Sequence, residues 1–407
     1  MISSFHTPGG EPSRAIDHVL AGMLGLAIAV PAYLGGDYSF KPVFYALVIL
    51  PTLLLLPFGK VSLREIYGSA AVIFLLVIPL LYWSASNLWS TQPENFLPFL
   101  RRSLVLFLFV VAVAHAVLRL GPEFRNYLDL ALVLVAIGAA IHLGSLLFMD
   151  ARGPQWRLGD GTVFRRSLHA SHYFGCFASY GLVRCYQQAS FRAAMPYLIS
   201  ALLCAGFVFS TESRGTIGSL LMIALLVSGL WYRRYSHAVV ILLLVGLGTY
   251  ASYDALVERG MSYRMEIWQQ TWLIVRDNFW GGIGLGTPLN IDYGGSELAP
   301  HAHNLYLDLQ ARSGVIGLLL FLPVVVLAAS RCFTPGKDEQ VYLAMLLFFL
   351  LCMLTDVHKP INSPSAVFVI FWLPLAALLV TISVRSVTKK TGSGDTTHSA
   401  GQQEQSR

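Results

Sequence analysis

The sequence predicts an all-α integral membrane protein, and three observations carry that reading. Of 407 residues, 55% are hydrophobic and only 12% are charged, whereas a soluble domain carries roughly 25% charged residues. Mean hydropathy is +0.62. About twelve apolar stretches approach the ~20 residues that a helix needs to cross a hydrocarbon core. The bilayer is therefore the expected solvent, with membrane lipids as constant partners and no nucleic-acid partner.

The stretches lie near 16–34, 41–58, 66–84, 99–118, 127–148, 168–186, 195–211, 216–232, 236–253, 309–330, 340–356 and 364–384. An even number of spans puts both ends on one side. Residues 1–384 are expected to form one polytopic membrane domain with a single long outer loop at about 254–308. The polar, low-complexity stretch 385–407 is expected to be a disordered cytoplasmic tail. Met1 to Arg14 has no basic region followed by an apolar run and a small-residue cleavage site, so the first helix should stay attached. In this orientation the short inner loops hold Lys60, Arg64, Arg119, Arg125, Arg184, Arg192, Arg233, Arg234, Arg331 and Lys337, as the positive-inside rule requires. None of the five cysteines lies in the long loop, and no disulfide framework or Cys-x-x-Cys metal site is implied.

Arginines on the outer side run against that rule. Arg101, Arg102, Arg152, Arg157, Arg165, Arg166, Arg214, Arg259, Arg264, Arg276 and Arg312 nearly match the inner supply of charge. Their planar five-donor forks suit phosphate oxygens; the alternative is that those at helix ends snorkel to lipid phosphates. The outer loop itself is too long for a connector and is rich in Trp, Tyr, Gly and Arg, which marks it as the place for chemistry.

Within it, Ser262 to Phe279 reads as an amphipathic helix with Arg264, Trp268, Trp272 and Arg276 recurring every four residues. Such a helix can also lie on the headgroups. Gly281-Gly282-Ile283-Gly284-Leu285-Gly286-Thr287 lacks the Gly-Lys-Ser/Thr of a Walker loop and the strand before a Rossmann loop. It reads instead as a tight turn allowing close backbone approach. In Pro300-His301-Ala302-His303-Asn304, residues two apart in extended chain project to one side, and Asn304 is placed to cap the helix that follows. Histidine near neutral pH can take a proton from a hydroxyl, general-base work of about 10²–10⁴-fold. A zinc site would need further ligands, and Asp292, Glu297 and Asp308 show no ligand spacing. Thr211-Glu212-Ser213-Arg214-Gly215-Thr216 forms an outer hairpin whose charges are costly unless used, though Arg214 can pair with Glu212. His169 and His172, at helical spacing, and His115 and His142, within spans, read as locally hydrogen-bonded.

On Ser210-Thr211-Glu212-Ser213-Arg214-Gly215, on Arg264 with Trp268 before the Gly-rich turn, and on His303-Asn304-Leu305-Tyr306-Leu307 leading to Ser313-Gly314, the sequence resembles the O-antigen ligase and polymerase superfamily of bacterial membrane glycosyltransferases. The resemblance spans roughly residues 200–325 and looks more like the ligase branch. It implies a many-helix C-type glycosyltransferase of the Gram-negative inner membrane, with its active site facing the periplasm and both termini cytoplasmic. Such an enzyme moves an O-antigen chain from undecaprenyl pyrophosphate to the lipid A core of lipopolysaccharide. The family's essential arginines would fall on Arg214 and Arg264 and its essential histidine on His303, with His301 beside it. Arg276 and Arg312 are read as further substrate-binding arginines. No Asp-x-Asp motif occurs, so no metal or other cofactor is expected, and arginines would neutralise the departing pyrophosphate. Asp37, the acid of the first outer loop, ranks behind His303 as the base. A monomer is expected. The competing readings are an O-antigen polymerase, a protein O-oligosaccharyltransferase and, from another class, a transporter of lipid-linked glycans, which predicts inverted repeats and charges near mid-membrane.

Overall fold

The computed structural model describes residues 11–34, 37–55, 73–146, 167–251, 263–294, 298–357 and 359–384. Lys60, Arg64, Arg152, Arg157, Arg165, Arg166, Arg259, Ser262, Glu297 and the tail from Arg385 lie outside them, as does the side chain of Asp37.

Among the described residues the chain is helical, with one isolated antiparallel bridge, Ile291 to Ala299, and no strand. Each apolar stretch marked in the sequence contains helix. In chain order these are α1 (Glu11–Ala29), α2 (Asp37–Phe44, running through a π turn into Leu50–Leu55), α3 (Ile78–Ala85), α4 (Phe96–Leu120), α5 (Phe124–Leu146), α6 (Ser167–Gln187), α7 (Phe191–Ser210), α8 (Arg214–Leu225, then a π turn to Trp231), α9 (Tyr235–Ala251), the loop helix α10 (Arg264–Asp277), α11 (Leu305–Cys332), α12 (Gln340–Cys352) and α13 (Phe368–Val384). Five stretches are long and apolar enough to cross a membrane: Arg14–Ala32, Pro93–Ser145, Phe191–Ser210, Arg214–Trp231 and Leu305–Cys332. Shorter apolar helices accompany them.

Helix α6 carries Ser, His, Tyr and Cys along its length because it lies inside the bundle. Residues Ala170 to Gly181 are buried without interruption. A Cβ at Gly175 would enter the Phe348 ring of α12, and one at Gly181 would press on Ala201 and the Tyr197 carbonyl of α7. Close helix approach without a hydrophobic driving force depends on such small residues.

Polar contacts divide the bundle into two ends. At one end Arg14 pairs with Glu123 (2.7 Å), Arg125 with Asp338 (2.6 Å) and Arg184 with Asp129 (2.6 Å). Asp129 also accepts from Tyr180 (2.7 Å) and Tyr197 (2.8 Å), so its carboxylate is saturated. The 3-10 turn Ser86–Trp89, the loop around α10, the start of α8 and the turn after α12 gather at the other end. Helix α1 starts at the Arg14–Glu123 end.

The described part of the loop is locked onto the bundle by backbone. Gly314 (φ 66°, ψ −175°) interrupts α11, which frees carbonyls that a continuous helix would use. Ile283 and Gly284 donate to the carbonyls of Ala311 (3.0 Å) and Arg312 (2.8 Å), and Val315 donates to Phe279 (2.8 Å). The fit depends on missing Cβ atoms: one at Gly314 would overlap the Trp280 carbonyl, one at Gly282 the Arg312 backbone, and one at Gly284 the backbone of Ser86 and Ser90. Gly281 to Thr287 is thus the tight turn its composition implied. Across it, Leu285 N–H donates to Ser86 (3.2 Å) and the Trp89 indole to Gly281 (3.1 Å).

Candidate active site

His303, which precedes the N-cap Asn304 of helix α11, is in the left-handed region (φ 49°), which a non-glycine residue adopts only at a cost. Its neighbours over-determine the turn. Asn304 caps α11, accepting from Leu307 N–H (3.1 Å) as its position suggested, and its amide donates to the Leu354 carbonyl (3.1 Å). Leu305 N–H donates to Met353 (2.9 Å), and the Trp268 indole donates to Ala302 (2.9 Å). The turn after α12, the loop helix and the start of α11 are therefore joined at this one place.

The joint puts Asp356 against His303. Their Oδ1 and Nδ1 atoms are 3.9 Å apart, with the carboxylate 4% exposed and the imidazole 32% exposed. The other carboxylate oxygen faces His172 Nδ1 of α6 at 3.7 Å, and His172 is 2% exposed. The His301 ring meets that of His303 edge-on, with centroids 4.2 Å apart. One buried carboxylate thus lies between two imidazoles, and His303 is the more open of them. No group of three His, Cys, Asp or Glu side chains suited to a metal ion occurs among the described residues.

Arg214 is the first residue of α8, following the left-handed Glu212 (φ 53°). A Cβ at Gly215 would strike the Thr355 hydroxyl, so this glycine lets Arg214 approach the Asp356 turn. Arg214 is exposed at the helix N-terminus, where backbone N–H groups and the helix dipole add to an anion's attraction. Arg264 is half-buried one turn ahead of Trp268. His303 thus contacts Asp356 with the His301 ring against it, Gly215 beside Arg214 meets Thr355, and Arg264 lies one turn ahead of Trp268, which bonds Ala302 between the two histidines.

Arg276 and Arg312 are placed differently from the sequence reading. The buried face of α10 is Ile267, Thr271 and Val275, packed against Ala302, Ala311 and Leu289. Steps of four advance about 40° in a 3.6-residue helix, so Arg264 and Arg276 are turned about 120° apart. Arg276 is 67% exposed and bonds its neighbour Asp277. It also lies about 18 Å along the axis from Arg264 at 1.5 Å per residue. Arg312 is 1% exposed and is a structural clamp. Its Nε donates to Asp308 (2.8 Å), one Nη to the Thr287 carbonyl and the other to Pro300 (2.7 Å), while Asp308 also accepts from Ala302 N–H (3.1 Å). Every partner is internal, which leaves no fork for substrate.

Sequence reasoning missed Asp356 and undervalued His172. The available signal was an acid closing an apolar span, which is rarely without purpose. Its partners lie 53 and 184 positions away in sequence, so no local spacing could link them.

Fold and site together define a multi-pass helical membrane protein with a histidine and carboxylate centre at one end of its bundle. Residues 199–322 match a family model described as O-antigen ligase, nearly the stretch that the motifs marked. The chain is also 29% identical over 376 residues to a protein of Pseudomonas aeruginosa named O-antigen ligase, covering 90% of this chain and 92% of that one. Over these stretches the chain is similar to O-antigen ligases, and both likenesses support a membrane enzyme of glycosyltransferase type.

Proposed function

We propose that this protein joins O-antigen to the lipid A core oligosaccharide of lipopolysaccharide, taking the glycan from undecaprenyl pyrophosphate at the periplasmic face of the inner membrane. The observation that carries the mechanism is the contact of His303 Nδ1 with the buried Asp356 carboxylate. With Nδ1 turned to Asp356, Nε2 is the nitrogen that takes the proton of an acceptor sugar hydroxyl. That oxygen attacks the anomeric carbon of the donor's first sugar, the bond from that carbon to the pyrophosphate oxygen breaks, and undecaprenyl pyrophosphate leaves. One displacement inverts the configuration. Asp356 stabilises the imidazolium formed at His303. A separation of 3.9 Å suits a resting site whose catalytic contacts tighten with substrate.

Arg214 and Arg264 neutralise the pyrophosphate as negative charge develops on it, so no metal ion is required. His301 keeps the His303 ring in place. The acceptor distinguishes this reading from polymerisation, in which a second lipid-linked glycan would supply the hydroxyl.

Purified protein in detergent, given undecaprenyl-pyrophosphate glycan, rough lipopolysaccharide and a chelator, should form ligated product. His303→Ala should lose about 10²–10⁴-fold in rate. Chain extension from donor alone would replace ligation by polymerisation, and no reaction with either acceptor would sink the enzyme mechanism.

A further inference from the structure

The reaction scheme gives His172 no task, yet it faces the same carboxylate as the base. Its Nδ1 lies 3.7 Å from Asp356 Oδ2, while Asp356 Oδ1 lies 3.9 Å from His303 Nδ1. Asp356 therefore turns one oxygen to each imidazole. His172 is fully buried and His303 is not, so of the two it is His303 that a sugar hydroxyl can reach.

Helix packing builds this contact. Gly175, three residues after His172 on α6, lies against the Phe348 ring of α12, and α12 leads into the turn that carries Asp356. Gly215 of α8 closes on the same turn at Thr355. The ionisable groups around the carboxylate are His169, one turn before His172 on α6, Cys352, one turn before Asp356, His303 with His301, and, from α8, Arg214 beside Gly215. None of these supplies a second carboxylate, so the charge that both imidazoles face is that of Asp356. A carboxylate buried to this depth stays ionised only when donors or cations compensate it.

We propose that His172 is a positioning residue for the transfer reaction: its neutral imidazole donates Nδ1–H to Asp356 Oδ2, which keeps the carboxylate ionised and its other oxygen on His303. Both separations exceed a hydrogen bond, and both contacts tighten when substrate closes the site. His172 transfers no proton. It orients the group that orients the base, extending the pair into a His–Asp–His chain. The inference rests on the ligase reading for the reaction, so one arm of its test needs no turnover.

His172→Leu removes the donor, whereas His172→Asn places an amide N–H close to the position of Nδ1. The first arm follows the His303 ring by NMR in resting protein carrying isotope-labelled histidine, with the signal assigned by its loss in His303→Gln. Because the donor stabilises the deprotonated form, the last proton of the coupled Asp356–His303 pair should leave about one to two pH units higher in His172→Leu, the loss of one hydrogen bond to a charged group. In His172→Asn it should leave near the wild-type pH. An unmoved midpoint in folded His172→Leu overturns the proposal. If that variant does not fold, the nitrogen signals of the wild-type His172 ring, assigned by their loss in His172→Asn, decide: a proton on Nδ1 is expected, and a proton on Nε2 alone overturns it. The second arm measures transfer. His172→Leu should move the acid limb of the kcat profile up by the same amount with donor and acceptor KM unchanged, so that the loss shrinks as pH rises, and His172→Asn should restore the limb. A loss equal at every pH would reduce His172 to packing. A shifted NMR midpoint in protein that transfers nothing counts against the ligase reading and for the His172–Asp356 contact.

Discussion

At His303, local strain coincides with the contact to Asp356. A left-handed histidine before a helix persists only because Asn304, Leu305 and Trp268 hold the turn from three directions. Asp356→Asn keeps the shape of the carboxylate but removes its charge, so we expect kcat to fall about 10²-fold with donor and acceptor KM little changed, as loss of a transition-state interaction requires. Steady-state transfer kinetics check this, and equal rates would remove Asp356 from the mechanism. Arg312 invites the opposite expectation. Arg312→Met leaves Asp308 buried without its partner, which typically destabilises by about 3–5 kcal/mol. Intrinsic-fluorescence melting should show a much lower unfolding midpoint. A stable variant impaired only in donor affinity would instead restore Arg312 to substrate binding.

The element that decides the position of the site is the break in α11. Helix propensity alone would carry the helix through residues 311–315, yet Gly314 turns the backbone so that its carbonyls receive the loop's N–H groups. Gly314→Ala forces a Cβ into the Trp280 carbonyl at a positive φ. We expect this variant to release the loop, with protease cleavage between residues 263 and 294 much faster, circular dichroism nearly unchanged and transfer reduced more than about tenfold, as a roughly 1 Å misplacement can cost 10²-fold. Unaltered cleavage would show that another contact seats the loop. Trp268→Phe keeps the ring but removes the bond to Ala302, and should cost about 1 kcal/mol of loop stability, measured by the same cleavage rate.

Across the whole molecule, ion pairs concentrate at the end remote from His303 and hold the helices there. Asp129 accepts two arginine and two tyrosine bonds, so Arg184→Met should lower the unfolding midpoint while the folded enzyme keeps wild-type KM. This separates the stabilising end from the reactive one. Orientation is tested in a chain whose five native cysteines are replaced. Glu94→Cys, near the site, should react with an impermeant maleimide in intact cells, and Asp338→Cys only after permeabilisation. The reverse pattern would invert the topology.

Composition and apolar run length determined the membrane class and the helical segments, because a bilayer demands internally satisfied backbone over a set length. Local motifs likewise exposed the Asn304 cap and the tight glycine turn. Only the tertiary structure could pair His303 with Asp356, bury Arg312 as a clamp and turn Arg276 away from the loop's packed face. These outcomes depend on helix phase and on contacts between distant chain segments. Sequence spacing registers neither: a step of four residues drifts around a helix, and two residues far apart in the chain carry no mark of meeting.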